Sequence, residues 1–160
     1  MSAALSRFRF APAAVWAGAI FFASSFDWRR VVLPKGEGGL GLGRLLLGAV
    51  TWALRQLPAA IPPDKAIHAL VFGLLALWLW LPSRARPAAR GLIAIGLATA
   101  WGVLDEVHQA FVPGRSSDAW DLLADFVGAV ALVAVANLAW GWHRKRRRRM
   151  LGPPSPAAPS

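Results

Sequence analysis

The stretch "GVLDEVHQAFVPGRSSDAWDLLADFVG", Gly102 to Gly128, holds Asp105, Glu106, Asp118, Asp121 and Asp125, five of the chain's eight acidic residues, together with His108 and Arg115. Carboxylates gathered in this way suit acid–base chemistry or ligation of a cation. Asp105 and Glu106 form a candidate carboxylate pair whose proximity would split their protonation behaviour. Upstream, "PPDKAIHALVF" puts Lys65, His68 and Phe72 at i, i+3 and i+7, on one helical face. His68 is then a candidate general base or metal ligand, with Lys65 and Arg115 as anchors for a substrate phosphate or carboxylate. Asp121 and Asp125 would orient the base or hold a divalent ion. Oxygen ligands favour magnesium, manganese or calcium, while His68 beside Glu106, Asp121 and Asp125 would admit zinc. With no cysteine in the chain, thiolate catalysis and Cys-ligated metal are excluded. Neither a G-x-S-x-G elbow nor an H-E-x-x-H helix is present.

These residues need elements to position them. A chain of 160 residues suggests one domain, and 56% hydrophobic content with a mean hydropathy of +0.46 points to a membrane protein. Four segments approach the roughly 20 apolar residues of a spanning helix: 10–26, 66–82, 91–111 and 119–142. "LLLGAVTWAL", between Arg44 and Arg55, is too short to span and suits an interfacial or re-entrant helix. The expected fold is all-α: a polytopic membrane protein, a four-transmembrane-helix bundle with a short interfacial or re-entrant helix between spans 1 and 2.

The net charge of +10 does not imply nucleic acid, because the basic residues are not spread along one surface. Arg7 and Arg9, then Arg84, Arg86 and Arg90, then the run "RKRRRR" (Arg144 to Arg149) fall on one side of a four-span topology. The positive-inside rule makes that side the cytoplasm, N-in and C-in, and brings all the acids to the opposite face. Residues 1–143 would be the transmembrane domain and 144–160 a basic, Pro-rich cytoplasmic tail beside anionic lipid, with "GPPSPAAPS" disordered. Trp28 and Trp120 fit an outer aromatic belt, and Trp78, Trp80, Trp140 and Trp142 an inner one. Arg7, Arg9 and "FASS" also fit a cleaved signal peptide, an alternative to a first span.

An ionisable side chain inside a spanning helix costs several kcal/mol unless it faces a partner or water. Asp105 and Gln109 share a face at the outer end of span 3; "VPGR" breaks the helix, and Ser116 or Ser117 could cap span 4. Asp118, Asp121 and Asp125 then form one stripe at i, i+3 and i+7. Asp118 in a first turn also complements the helix dipole. Asp125, about 10 Å into the span, must be neutral, paired or coordinated, and Arg115 is the nearest candidate partner. His108 lies on another face, and His143 adjoins the basic tail. Lys65 could instead snorkel to lipid phosphate.

"DKAIHALVFGLLA" followed by "DEVHQAFVPGRSSDAWDLLADFVGAVAL" resembles the VanZ-like family. Its pattern opens a span with Lys–x–x–His and continues with Asp–Glu–x–x–Gln, a Pro–Gly–Arg turn and Asp–x–x–Asp before a Gly-containing span. The matching positions are Lys65, His68, Asp105, Glu106, Gln109, Arg115, Asp118 and Asp121, within about Asp64 to Ala139. The family pattern often has Asn at the position of Asp125, where this chain adds a charge. The resemblance implies a small multi-pass protein of the bacterial cytoplasmic membrane whose namesake accompanies glycopeptide (teicoplanin) resistance; it implies no reaction.

Two functions follow. The first is an enzyme of the outer leaflet acting on an envelope lipid or lipid-linked precursor, with His68, Asp105, Glu106 and Asp121 as catalytic candidates and Lys65, Gln109, Arg115, Asp118 and Asp125 binding substrate. The second is a non-catalytic membrane protein binding a glycopeptide, a lipid or an envelope partner through the same cluster. A blander possibility is a polar network that ties helix ends together. A transporter fits less well, because no inverted repeat or broken midplane helix is visible.

Overall fold

A computed structural model describes residues 8–26, 52 and 61–151. Among them are four helices and no strand: α1 (Ala11–Ser24), α2 (Pro63–Trp80), α3 (Pro87–Ala110) and α4 (Ala119–Leu151). They overlap the four expected segments, α2 and α3 starting three and four residues earlier and α4 running nine residues past the expected end at 142. Most of "LLLGAVTWAL" lies outside the described residues, as do Asp27, Trp28, Glu37 and the "GPPSPAAPS" end, although Trp52 is helical.

Proline sets three of the starts. Pro12, Pro63 and Pro87 occupy first-turn positions, where a missing N–H costs nothing. Residues Pro62 and Arg86 before them are extended, as a following proline demands. Between α3 and α4 the chain reverses through Gly114, whose φ of 85° suits glycine. The expected cap of α4 by Ser116 or Ser117 is corrected: the Trp120 N–H donates to Asp118 Oδ1 at 2.9 Å, so Asp118 is the capping acceptor. Helix α4 is 33 residues long, about 50 Å at 1.5 Å per residue, and continues without interruption through the basic run.

By length and composition, Ala119–Met150 is the one stretch among the described helices long and apolar enough to cross a membrane; α1 is apolar but shorter. Polar side chains share the interior with an apolar core, and large apolar side chains lie on the outside. Buried residues include Asp105, Glu106, Gln109, Asp121 and Asp125, while Leu92, Ile93, Phe126, Val127 and Leu138 lie on the outside. Much of the apolar core is small, with Ala76, Ala94, Ala98 and Ala129 beside Phe72 and Trp80, which allows close helix approach. The closest approach joins α2 and α4: a Cβ on Gly128 would lie 1.8 Å from the Ala69 carbonyl oxygen, and one on Gly73 would lie 2.8 Å from the Gly128 carbonyl oxygen. The Trp16 indole N–H ties α1 to α2 by donating to the Val71 carbonyl at 3.0 Å.

Successive helices run in opposite directions, so α1 lies parallel to α3 and α2 parallel to α4. The C-terminal ends of α1 and α3 meet through Ser24 and Asp105, and the N-terminal ends of α2 and α4 join them through Lys65, His68, Asp121 and Asp125. At the other end, the Arg90 guanidinium closes α2 by donating to the Trp80 and Leu81 carbonyls at 2.6 and 2.8 Å. It also lies over the Trp80 ring, 3.6 Å from its centroid. Trp80 in turn donates to Asn137 of α4 and meets Trp140 edge to face.

Candidate functional site

The helical register of α2 and α4 sets two parallel rows. Lys65, His68 and Phe72 succeed one another along α2, and the His68 and Phe72 rings are nearly parallel. Opposite them stand Asp118 at the cap of α4 and Asp121 and Asp125 in its first turns. The Lys65 ammonium donates to Asp118 and, at 2.7 Å, to Asp121 Oδ1, and lies 3.2 Å from Asp64. Burial works against the Lys65 charge, but these three carboxylates outweigh it and hold its proton more tightly than an ordinary lysine does. The reciprocal effect, led by the Lys65 hydrogen bond, holds the half-buried Asp118 below the usual carboxylate range.

One turn deeper, His68 Nδ1 lies 3.0 Å from Asp125 Oδ1, and its Nε2 lies 3.7 Å from Asp121 Oδ1. Asp125 is 1% exposed. An Nδ1–H donated to that carboxylate leaves the lone pair on Nε2, the arrangement of an oriented general base. Asp125 Oδ2 is buried without a hydrogen-bond partner.

The expected Asp105–Glu106 pair divides between two neighbourhoods. Asp105 accepts from Ser24 Oγ of α1 and, at 2.7 Å, from Gln109 Nε2; Gln109 Oε1 in turn accepts from Arg115 at 2.8 Å. Glu106 turns toward α4, where its Oε2 accepts the Asp118 backbone N–H at 2.6 Å and its buried Oε1 has no partner. Consecutive helical residues point about 100° apart, so their separation follows from local geometry. Arg115, expected to bridge Asp125, is held by Gln109 instead; Asp125 is met by His68, and Asp121 by Lys65. The Arg115 Nε is buried and unpartnered.

His68, Asp105, Gln109 and Arg115 line a cavity of about 440 Å³ with Ser24, Asp64 and the apolar side chains of Ile20, Ile67, Val71 and Phe72. Ser24 is not marked by the sequence: it is 6% exposed, and its Oγ also lies 3.0 Å from the Ile20 carbonyl oxygen. A serine at the end of an apolar helix carries no spacing signal that marks it. His108, left out of the site by its face, bonds instead to Ser25 at 3.0 Å and stacks on Phe21.

Among the described residues no group of three or more His, Asp and Glu side chains is placed to hold a metal ion. The metal reading of His68, Glu106, Asp121 and Asp125 therefore lacks the convergence it requires. What the arrangement offers is a histidine oriented by a buried carboxylate, a fixed guanidinium, and carboxylate oxygens that lack donors.

A family model described as VanZ/LLP1 matches residues 10–140, most of the chain and all of the site. Comparison with curated proteins and with solved structures finds no match.

Proposed function

The chain belongs to the VanZ/LLP1 family, and from that premise we propose a four-span protein of the bacterial cytoplasmic membrane, N-in and C-in, that acts on an envelope lipid or lipid-linked precursor at its outer face. Membership of this family makes the chain membrane-associated. The alternation of the helices supports the topology, as do the acids at one end of the bundle and Arg84, Arg86, Arg90 and the Arg144 to Arg149 run toward the other.

The observation that carries the catalytic reading is the His68–Asp125 contact of 3.0 Å on the wall of a cavity shared with Arg115. His68 acts as the base, Asp125 orients it, and Arg115 holds an anionic group of the substrate. Gln109 and Asp105 fix Arg115. Glu106 and Asp121 shape the charge around the imidazole, and Lys65 with Asp118 holds the end of the bundle closed.

A second reading, recognition without turnover, is favoured by the serial bonding of Ser24, Asp105, Gln109 and Arg115, which immobilises a guanidinium as a binding site would. The two readings separate in one experiment. Cells producing wild type, His68→Ala, Glu106→Gln or Asp121→Asn at equal membrane levels are compared for lipid profile and teicoplanin susceptibility. Under the catalytic reading all three variants match cells lacking the protein. Wild-type behaviour from His68→Ala would rule out this chemistry.

A further inference from the structure

Helix α1 borders two hollows. The first is the polar cavity just described. The second, of about 390 Å³, is apolar and lies between the same three helices, lined by Ala14 and Ala17 of α1, Leu75 and Leu79 of α2, and Leu97 and Trp101 of α3 among others. On each helix the nearest lining residues of the two hollows stand about one turn apart: Ala17 and Ile20, Leu75 and Phe72, Trp101 and Asp105. The two are therefore stacked end to end along α1, polar at one end of the bundle and apolar toward its middle.

Of the described residues lining the polar end, the one that keeps a buried side-chain atom without a hydrogen-bond partner is Arg115, a donor. Both oxygens of Asp105 already accept hydrogen bonds, and Asp64 lies 3.2 Å from Lys65. Arg115 keeps a buried Nε–H with nothing to receive it, and a buried donor of that kind favours an acceptor. A larger hollow of about 700 Å³ between α2 and α4 has no such feature, because its one charged lining residue, Lys65, is already held by three carboxylates.

We infer that the two α1 hollows form one binding site for a single-chain lipid monophosphate, with the phosphate on Arg115 beside His68 and the hydrocarbon chain along Ala14, Ala17 and Leu97. This names the substrate class for the site proposed above and rests on that reading for the role of His68.

The test is binding to the purified full-length chain in detergent, with farnesyl phosphate, farnesol and inorganic phosphate as probes. Wild type should bind farnesyl phosphate roughly tenfold more tightly than either of the others. Ala14→Phe, at an exposed position on the groove wall, should weaken farnesyl phosphate by a similar factor and leave inorganic phosphate unchanged. Arg115→Gln should weaken both phosphates and spare farnesol. Thermal midpoints of the variants within a few degrees of wild type establish that the fold is kept; a variant that unfolds is replaced by Ala17→Leu in the groove or Arg115→Lys at the head.

Equal affinity for farnesol and farnesyl phosphate would overturn the inference. So would a loss on Leu123→Trp, in the α2–α4 hollow, with none on Ala14→Phe. Binding as expected together with a wild-type lipid profile from His68→Ala would sustain the lipid site and remove catalysis. A null His68→Ala profile with an inert groove would do the reverse.

Discussion

His68 of α2 and Asp125 of α4 meet across the helix interface, Nδ1 to Oδ1 at 3.0 Å, with the carboxylate 1% exposed. Removing the imidazole while keeping a donor to Asp125 isolates the base. His68→Asn should reduce the lipid change in expressing cells by about 10²–10⁴-fold, the usual worth of general-base catalysis, while farnesyl phosphate binding stays near wild type. A parallel fall in binding would make His68 a recognition group.

Gly128 sits where α2 and α4 touch, and a Cβ there would meet the Ala69 carbonyl at 1.8 Å. Gly128→Ala should lower stability by about 1–3 kcal/mol or more through overpacking, read as a drop in thermal midpoint in detergent. Gly96→Ala on α3 meets nothing within 4 Å and should be neutral or raise stability by up to about 1 kcal/mol. Equal effects at the two positions would contradict the close crossing.

Lys65 keeps the folded-state proton affinity of Asp118 below that of the unfolded chain. The stability this contributes is therefore fully present above the unfolded carboxylate value of about 3.9 and disappears as pH falls through the lower folded value. Asp118→Asn keeps the helix cap and removes the charge. Its stability deficit relative to wild type should be constant from pH 7 to about 5 and shrink toward zero as the pH is lowered through the carboxylate range, as followed by unfolding in detergent. A deficit independent of pH would mean that the charge contributes nothing.

At the opposite end, Arg90 lies over Trp80 and closes the last turn of α2. Arg90→Ala should lower the thermal midpoint by the equivalent of about 1–3 kcal/mol, from the lost cation–π contact and the two charged hydrogen bonds. Arg90→Lys should recover less than half, since an ammonium cannot stack and fork at once. Full rescue by lysine would leave charge alone as the cause.

Helix positions were legible in the sequence because apolar runs mark them locally, whereas the starts at Pro63 and Pro87 lie three and four residues before those runs. The facing of Lys65 and His68 toward Asp118, Asp121 and Asp125 was legible for the same reason, since i, i+3 and i+7 spacing gathers each row on one side of its helix. Partner choice was not. Arg115 is the expected partner of Asp125, yet it bonds to Gln109, and His68, far away along the chain, meets that carboxylate. Ser24 belongs to the same class: its role exists only once α1 and α3 are side by side. Asp118 displaced Ser116 and Ser117 as the cap because Glu106 holds its backbone N–H in place.

The crossing of Gly128 on Ala69 brings main chain against main chain, with Ala69 one residue from His68 and Gly128 three from Asp125. Where side chains separate two helices, the gap drifts with every change of side-chain volume; here, as long as Gly73 and Gly128 are kept, backbone atoms fix it. The crossing acts as a gauge block for the imidazole and its carboxylate. Their spacing can stay constant while the exposed apolar faces and the α1 wall are rebuilt, so the ligand preference of the proposed site is open to engineering without retuning the proposed base.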